Sequence, residues 1–316
     1  GTLKSRPNHY LIEALRHRGA NIRGRGVKET VPIKIKPAVF RSGEIEIKGT
    51  LSSQFISSLL ITLPNLPADS LLKIKGGYIV SQPYIDMTLA ILQKAGIKIV
   101  KRNLRQYFIK GGQRFRGLKT FIVPDDFGLA AYFMVAACLL KSQVTLKRNS
   151  SDNLVQADRN ILLLLKKMGA RIKITPTVIT IQGPQRLRGG SFNLRDCPDL
   201  VPVMAIAAIF AKGRTKLYGI SHVRQKESDR ISDLRTELIK VGADIKESRD
   251  SLVIQPGTFL KPDIWLNPHN DHRLAMAFCV LGLKIGAIVE DVECIAKSYP
   301  AFLDDLQLLK VHLRRL

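Results

Sequence analysis

The sequence predicts an α/β protein with the usual layering inverted, helices inside and sheets outside, built from repeated units in two domains. Three observations carry this. Four helical segments end alike: Leu11 to Gly19-Ala20-Asn21-Ile22, Thr88 to Gly96-Ile97-Lys98-Ile99, Ile161 to Gly169-Ala170-Arg171-Ile172 and Leu234 to Gly242-Ala243-Asp244-Ile245. Their glycines lie 77, 73 and 73 residues apart. A second set of segments, residues 55–63, 130–140, 201–211 and 274–283, has helical length and is apolar nearly all round, which predicts helices buried on every side. The segments beside them alternate instead, as in Glu44-Ile45-Glu46-Ile47-Lys48, Leu71-Leu72-Lys73-Ile74-Lys75 and Gln143-Val144-Thr145-Leu146-Lys147, so each strand has one wet face and one on the core.

Taken in order, each repeat glycine fits a helix C-cap that turns the chain into a strand. Alternating sequence follows, for example Arg171-Ile172-Lys173-Ile174-Thr175 and Thr180-Ile181-Gln182. A repeat of about 73 residues is too long for a thin solenoid, and each copy carries several strands and two helices. Three such units around buried helices would form a prism-like domain. Four copies imply more than one domain. The expected cut is near Val123-Pro124-Asp125-Asp126, where a strand ends in a Pro/Asp turn, giving domains 1–124 and 125–316. Gly1 to Pro7 already stands just before the first repeat helix, so the chain reads as starting in the middle of something larger.

Length and composition bound the function. With 316 residues, 45% of them hydrophobic, and a mean hydropathy of +0.03, the chain is globular and long enough for two cores. It contains no apolar stretch long enough to span a membrane, and no apolar segment follows Pro7 as a secretory leader would. The four cysteines, Cys138, Cys197, Cys279 and Cys294, form no Cys-x-x-Cys pair, which is cytosolic usage; a cytoplasmic location is expected. Fifty Lys and Arg against 26 Asp and Glu give a net charge of +24. That fits nucleic acid or small anionic substrates. The basic residues are scattered and aromatics are only 6%, so nucleic acid is the weaker reading.

Polar clusters fall where helices begin. Gln225-Lys226-Glu227-Ser228-Asp229-Arg230 follows the strand end Tyr218-Gly219-Ile220 and leads into helical spacing from Ile231. Main-chain N–H groups are unsatisfied at such a junction and anions are welcome there, although Ser228 or Asp229 would equally serve as an ordinary cap. Leu51-Ser52-Ser53-Gln54 and Ser81-Gln82-Pro83-Tyr84 open two more helices, as phosphate sites or as caps. Cys197-Pro198-Asp199 opens the third apolar helix with a carboxylate that is either a cap or a base. Asn267-Pro268-His269-Asn270-Asp271-His272-Arg273 opens the fourth, with no partner cluster to make its histidines a metal site. Ala296-Lys297-Ser298-Tyr299-Pro300 precedes the last helix. Arg6, Lys226, Arg230, Arg273 and Lys297 are thus all at helix entries, with Asp199, Glu227 and Asp271 at similar places. Many cations with few carboxylates point to a polyanionic substrate and acid–base chemistry.

Lys226-Glu227-Ser228-Asp229-Arg230-Ile231, Asn270-Asp271-His272-Arg273-Leu274-Ala275-Met276-Ala277 and Ala296-Lys297-Ser298-Tyr299-Pro300 together resemble the 5-enolpyruvylshikimate-3-phosphate synthase family. Arg6-Pro7, Ser52-Ser53-Gln54, the run from Ser81 to Leu89 and Pro198-Asp199 match it too, in order over the whole chain. The resemblance implies two inside-out α/β prism domains of repeated βαβαββ units, the first incomplete here. It implies transfer of enolpyruvyl from phosphoenolpyruvate to the 5-hydroxyl of shikimate 3-phosphate, with no cofactor and no metal, by a monomer.

By the same resemblance Ser52, Ser53, Gln54, Ser81 and Tyr84 hold shikimate 3-phosphate. Asp199 and Lys226 contact its hydroxyls, Asp199 as candidate base. Arg6, Arg230, Arg273 and Lys297 grip phosphoenolpyruvate, with Gln54 near both ligands. Glu227 is the acid–base group at the methylene carbon, with His272 and Lys297 close by. Three features depart from the family. A Lys-Ser pair, an Arg and a Gly-Thr turn from its N-terminal part are absent from the sequence. Asp125-Asp126-Phe127-Gly128-Leu129 replaces the frequent Gly-Asp-x-Ser-Ser. His222, counted with the substrate-binding residues, stands where some members have Asn. The alternatives are an anion- or nucleic-acid-binding protein on a degenerate synthase scaffold, or a transferase using another acceptor.

Overall fold

Alternating strands and all-apolar helices can be satisfied together only if the sheets cover the helices, and the elements assemble in that way. The computed structural model describes residues 2–149, 154–257 and 259–314. Backbone contacts divide it into two units. The first runs to Val123 and includes residues 154–157; the second is the rest from Pro124.

The first unit holds α1 (His9–His17), the hairpin β1 (Asn21–Arg25) and β2 (Thr30–Lys36), then β3 (Gly43–Lys48), α2 (Ser53–Thr62), β4 (Ser70–Lys75), α3 (Gln82–Lys94), β5 (Ile99–Asn103) and β6 (Gln106–Ile109). The second holds α4 (Phe127–Leu139), β7 (Gln143–Lys147), α5 (Ile161–Lys167), β8 (Ile172–Ile174), β9 (Val178–Gln182), β10 (Ser191–Asn193), α6 (Val201–Ile209), β11 (Thr215–Tyr218), α7 (Arg230–Lys240), β12 (Ile245–Glu247), β13 (Ser251–Ile254), β14 (Ile264–Leu266), α8 (His272–Ile285), β15 (Ala287–Val289) and α9 (Phe302–Leu308).

The repeat is visible in the sheets. Strand order is β3-β4-β6-β5 in one and β10-β11-β13-β12 in another, the same βαβαββ wiring twice. The sheet β7-β9-β8 follows the order of that unit's last three strands, and β14-β15 that of its first two. In the two complete units the leading pair is parallel, as a helical crossover requires, and the later strands join antiparallel; β14-β15 is likewise parallel, and both pairings of β7-β9-β8 are antiparallel. In β3, Ile45 and Ile47 face the core. Glu44 and Glu46 face outward against Lys73 and Lys75 of β4, at 2.6 and 2.8 Å.

The core of the second unit is three helices packed on one another. Every residue of α6 is buried, as is nearly all of α4 and the stretch of α8 from His272 to Leu281. The expectation of burial on every side fails for α2. Phe55, Ile56, Leu59 and Leu60 face Leu72, Ile74, Tyr107 and Ile109 of the sheet, but Ile61 on the other side is 48% exposed. The reason is company: α2 packs on one sheet and on α3, whereas α4, α6 and α8 seal each other. The strand expected to end at Val123 is also missing. Residues 113–126 are irregular, apart from one isolated bend at Lys119, and Phe121, Ile122 and Val123 are exposed. Asp126 instead caps α4, its carboxylate accepting from the Leu129 N–H at 3.0 Å.

The four repeat glycines all adopt positive φ, between 83° and 97°. Each is followed by an N–H that reaches back five residues, from Ala20 to Leu15, Ile97 to Leu92, Ala170 to Leu165 and Ala243 to Leu238. Only a residue without a Cβ enters this cap at little cost. Gly169 and Gly242 share the same φ but not the same surroundings. A Cβ on Gly169 would come no nearer than 3.8 Å to the Arg186 carbonyl, while one on Gly242 would lie 2.6 Å from the Phe259 carbonyl oxygen. Gly169→Ala is therefore expected to cost about 1 kcal/mol, from left-handed strain alone, and Gly242→Ala at least twice that. Denaturant midpoints of the two variants check the order; equal losses would refute the steric account.

Candidate active site

A parallel pair delivers the chain to a helix at the C-terminal end of each strand, and in open α/β sheets that end is where ligands are met. Every substrate residue expected from the sequence except Arg6 sits at such an end. Ser52, Ser53 and Gln54 follow β3, and Ser81 and Tyr84 follow β4. Asp199 follows β10, while His222, Lys226, Glu227 and Arg230 follow β11. His272 and Arg273 follow β14, and Lys297 follows β15. The residues of each unit are considered within that unit.

In the first unit two loops are tied together. Val80 N–H donates to the Gly49 carbonyl at 3.0 Å, and the Ser57 and Thr88 hydroxyls, 2.8 Å apart, join α2 to α3. The N-termini of both helices are thereby gathered at one end of the sheet, with the serines among them. Ser52 caps α2, its hydroxyl accepting from the Gln54 N–H at 3.2 Å, and Ser53 is buried behind it. Ser81 is buried in a left-handed conformation (φ 54°), and its carbonyl accepts from the Tyr84 N–H. Arg6 stands between the turn Thr2–Ser5, which lies along β2, and the α1 N-cap Asn8, whose amide donates to the Arg6 carbonyl at 3.1 Å.

The second unit holds the charged cluster, centred on Arg230. Its guanidinium is 1% exposed and is surrounded by three carboxylates. Nε donates to Asp271 at 2.7 Å, Nη1 to Asp199 at 2.8 Å, and Nη2 to Glu227 at 2.9 Å and to Asp271 at 3.2 Å. The guanidinium expected to face an anionic ligand is, in this structure, occupied by the protein's own carboxylates. Asp199 also receives Arg273, at 3.0 Å, and has Lys226 at 4.0 Å. Arg273 reaches the Gly128 carbonyl at 3.4 Å, and its own carbonyl accepts from the buried Tyr132 hydroxyl at 3.2 Å. Three cations thus balance three carboxylates.

The pKa shifts follow from this geometry. Burial opposes ionisation of Asp199, but Arg273, Lys226 and Arg230 outweigh it and hold the carboxyl well below its usual range. Asp271 is likewise buried and is held down by Arg230 and by the Arg273 N–H it accepts at 2.9 Å. Arg230 and Arg273 pay a burial penalty that their carboxylates overcome, so both stay charged. His222 is 5% exposed, and neither ring nitrogen has a partner among the described residues. Burial, then the Lys226 ammonium, pushes its pKa down to about 4, so its imidazole is neutral. His272 is also pushed down, by burial and by Arg273 and Arg230 against the pull of Asp271. Lys297 donates to the carbonyl and side-chain oxygens of Asn270, at 2.6 and 2.8 Å.

The remaining residues of the Lys226–Arg230 run divide the structural work. Asp229 caps α7, accepting from the Ile231 and Ser232 N–H groups, and is itself held by Arg224 at 2.8 Å. Ser228 donates instead to Asp271, at 3.4 Å. Sequence reasoning gave no role to Tyr132, whose hydroxyl hides in an apolar helix, nor to Gly128. A Cβ there would lie 2.7 Å from the Asp158 carboxylate and 3.2 Å from the Arg273 guanidinium, so a larger residue would push those side chains from their present positions. Gly128 could have been flagged as the lone glycine of its buried helix. No group of His, Cys, Asp and Glu among the described residues could hold a metal ion. No helix among them is long and apolar enough to cross a membrane.

Repeated α/β units with a charge-balanced set of arginines and carboxylates at strand ends are the arrangement expected of an enzyme that handles anionic ligands. Comparison makes the class specific. The family described as EPSP synthase (3-phosphoshikimate 1-carboxyvinyltransferase) matches residues 1–306. A 3-phosphoshikimate 1-carboxyvinyltransferase of Methanococcus maripaludis is 36% identical over 311 residues, 97% of this chain and 72% of that protein. One of Methanocaldococcus jannaschii is 37% identical over 310 residues, 98% and 71% of the two. The EPSP synthase structure of Acinetobacter baumannii superposes with a TM-score of 0.74 at 25% identity, over 97% of this chain and 71% of the other. The enolpyruvyl transferase NikO of Streptomyces tendae shares the fold, with a TM-score of 0.78 at 16% identity over 98% of this chain and 72% of the other. The chain belongs to the EPSP synthase family.

Arg230 sets the acid response. Asp199 and Asp271 have depressed folded-state pKa values, so the stability they contribute is present above the unfolded carboxylate value of about 4 and is lost as pH falls through the folded values. Arg230→Met takes the guanidinium away from Asp271 and Glu227 and leaves Asp199 with Arg273 and Lys226, so two cations face three carboxylates. Destabilisation of about 3–5 kcal/mol at pH 7 is expected. The sign of the pH dependence should also reverse, with the variant gaining stability from pH 7 to pH 5 relative to wild type. Melting temperatures across that range test this; parallel curves would refute it.

Proposed function

We propose that the chain is a 3-phosphoshikimate 1-carboxyvinyltransferase, moving the enolpyruvyl group of phosphoenolpyruvate to the 5-hydroxyl of shikimate 3-phosphate and releasing phosphate, a step of aromatic amino-acid biosynthesis. The observation that carries this is the family match over residues 1–306, together with relatives of that name at 36 and 37% identity. The charged cluster supplies the chemistry such a reaction needs. Two anions must be brought together, and fixed cations offset their repulsion in a site of low dielectric.

In this reading Ser52, Ser53 and Ser81 take the phosphate of shikimate 3-phosphate, and Gln54 and Tyr84 hold the same ligand. Support comes from the helix N-termini of α2 and α3, which present main-chain N–H groups at one end of the sheet. Asp199, Lys226 and His222 face the hydroxyls, with Asp199 as the base. The two partnerless nitrogens of a neutral, buried His222 suit a hydroxyl, which both donates and accepts. Arg6, Arg230, Arg273 and Lys297 take the carboxylate and phosphate of phosphoenolpyruvate. Glu227 exchanges a proton with the methylene carbon, beside His272 and Lys297. No cofactor enters the scheme. The two units are read as the family's two domains, 1–124 and 125–316, in a cytoplasmic monomer that should elute from a sizing column at about its mass of 35.2 kDa.

The test is phosphate release from the two substrates, measured for the chain alone and with an added N-terminal piece of a relative. Release is expected in at least one case. Arg273→Lys keeps the charge but loses the second N–H direction, so it should lower kcat/KM for phosphoenolpyruvate about 10- to 100-fold. Absence of release in both cases overturns the assignment, and release indifferent to Arg273→Lys overturns the site.

A further inference from the structure

Helix α7 carries Arg230 in its first turn and Glu237 two turns later, on the same stripe. Glu237 is 2% exposed, which is unusual for a carboxylate. The pairing with Lys240 at 2.6 Å does not explain this burial, because the lysine side chain is 44% exposed and such pairs contribute little. The other contacts of Glu237 do. Its Oε2 accepts from the main-chain N–H of Asn267 at 2.9 Å, and its Oε1 lies 3.2 Å from His269 Nε2. Asp233, one turn earlier, stands 4.0 Å from the other ring nitrogen of His269. One buried carboxylate therefore holds both ends of Asn267-Pro268-His269, the loop between β14 and α8.

That loop is in an unfavourable conformation. His269 (φ 51°) and Asn270 (φ 57°) are consecutive non-glycine residues in the left-handed region, which persists only when the surroundings impose it. The restraints are visible. Asn267 Oδ1 accepts from the His269 N–H at 2.7 Å, Asn267 Nδ2 donates to Glu290 at 2.8 Å, and Glu237 holds the chain from α7. The result is that both oxygens of Asn270 meet the Lys297 ammonium. Asp271, the next residue, caps α8 and takes Arg230.

We propose that Glu237 is a positioning residue of the active site, holding His269 and Asn270 in the left-handed turn that fixes the Lys297 ammonium where an anionic substrate group would meet it. This rests on the reading of Lys297 as a phosphoenolpyruvate contact, so the experiment separates the two. The full chain is compared with Glu237→Ala and Glu237→Gln. One measurement is the acylation rate of each lysine with acetic anhydride, read by mass spectrometry. The other is phosphate release from shikimate 3-phosphate and phosphoenolpyruvate.

In Glu237→Ala, Lys297 should acylate about tenfold faster while Lys98 and Lys110 of the first unit are unchanged, and KM for phosphoenolpyruvate should rise about tenfold with kcat within about twofold. Glu237→Gln keeps an acceptor for the Asn267 N–H and should restore most of both. If Glu237→Ala does not fold, His269→Ala, which cuts the His269 end of the link and leaves the Asn267 end, should move both readouts in the same direction. Unchanged acylation of Lys297 in a folded variant overturns the proposal, whatever the activity. Faster acylation with an unchanged KM leaves the positioning intact and overturns the substrate role of Lys297 instead.

Discussion

A guanidinium buried to 1% exposure with three carboxylates on it is the constraint around which the second unit is arranged. A charge so placed is tolerable only if partners arrive from every side. For Arg230 they come from three different junctions: Asp199 ahead of α6, Glu227 ahead of α7 itself, and Asp271 at the head of α8. Each of those helices is fixed along its length by apolar packing, α6 and α8 directly against each other. The apolar core thus sets where the carboxylates stand, and the guanidinium requires that they stand close. Replacing the cluster by apolar side chains would be thermodynamically acceptable in principle. Its presence therefore argues for a use beyond stability.

The repeat explains how so many charged groups reach one kind of place. A parallel strand pair joined through a helix always delivers the chain to the same edge of its sheet. Duplicating that unit duplicates the edge. The first unit decorates it with hydroxyls and an amide, the second with arginines, lysines and carboxylates. The division is chemical. Helix N-termini with hydroxyls suit a phosphate that needs many short hydrogen bonds, while charged groups that answer one another suit a reaction in which charge is redistributed.

Much of this was legible in the chain. The glycine caps were, because a left-handed residue after a helix is a local requirement that the sequence states locally. The alternating strands and the buried helices α4, α6 and α8 were legible for the same reason. What failed was anything that depended on neighbours. Residues 55–63 are as apolar as a fully buried helix, and only the single sheet beside α2 leaves Ile61 in water. Candidate residues could be found by their position before helices, but not their pairing, since Arg230 and Asp271 are 41 residues apart and meet through tertiary packing. Glu237 was invisible, because a glutamate in a charged helix reads as a solvated residue until the loop it holds is seen.

The cluster as it stands holds Asp199 and Asp271 ionised, and the electrostatics say why. A carboxylate held far below its usual pKa by Arg273, Lys226 and Arg230 is a poor proton acceptor. Those same cations are the groups assigned to the substrates. An arriving phosphate or carboxylate competes for guanidinium N–H groups now given to Asp199 and Glu227, and each N–H turned to the ligand withdraws part of what depresses the aspartate. On the proposed assignment, binding the anionic substrate therefore raises the basicity of Asp199 at the moment a hydroxyl stands ready to lose its proton. Linkage makes the effect reciprocal: protonating the carboxylate releases the cations and tightens the hold on the anion. The neutral imidazoles of His222 and His272 fit the same logic, since a further fixed positive charge would keep Asp199 depressed even after the substrate had drawn the arginines away.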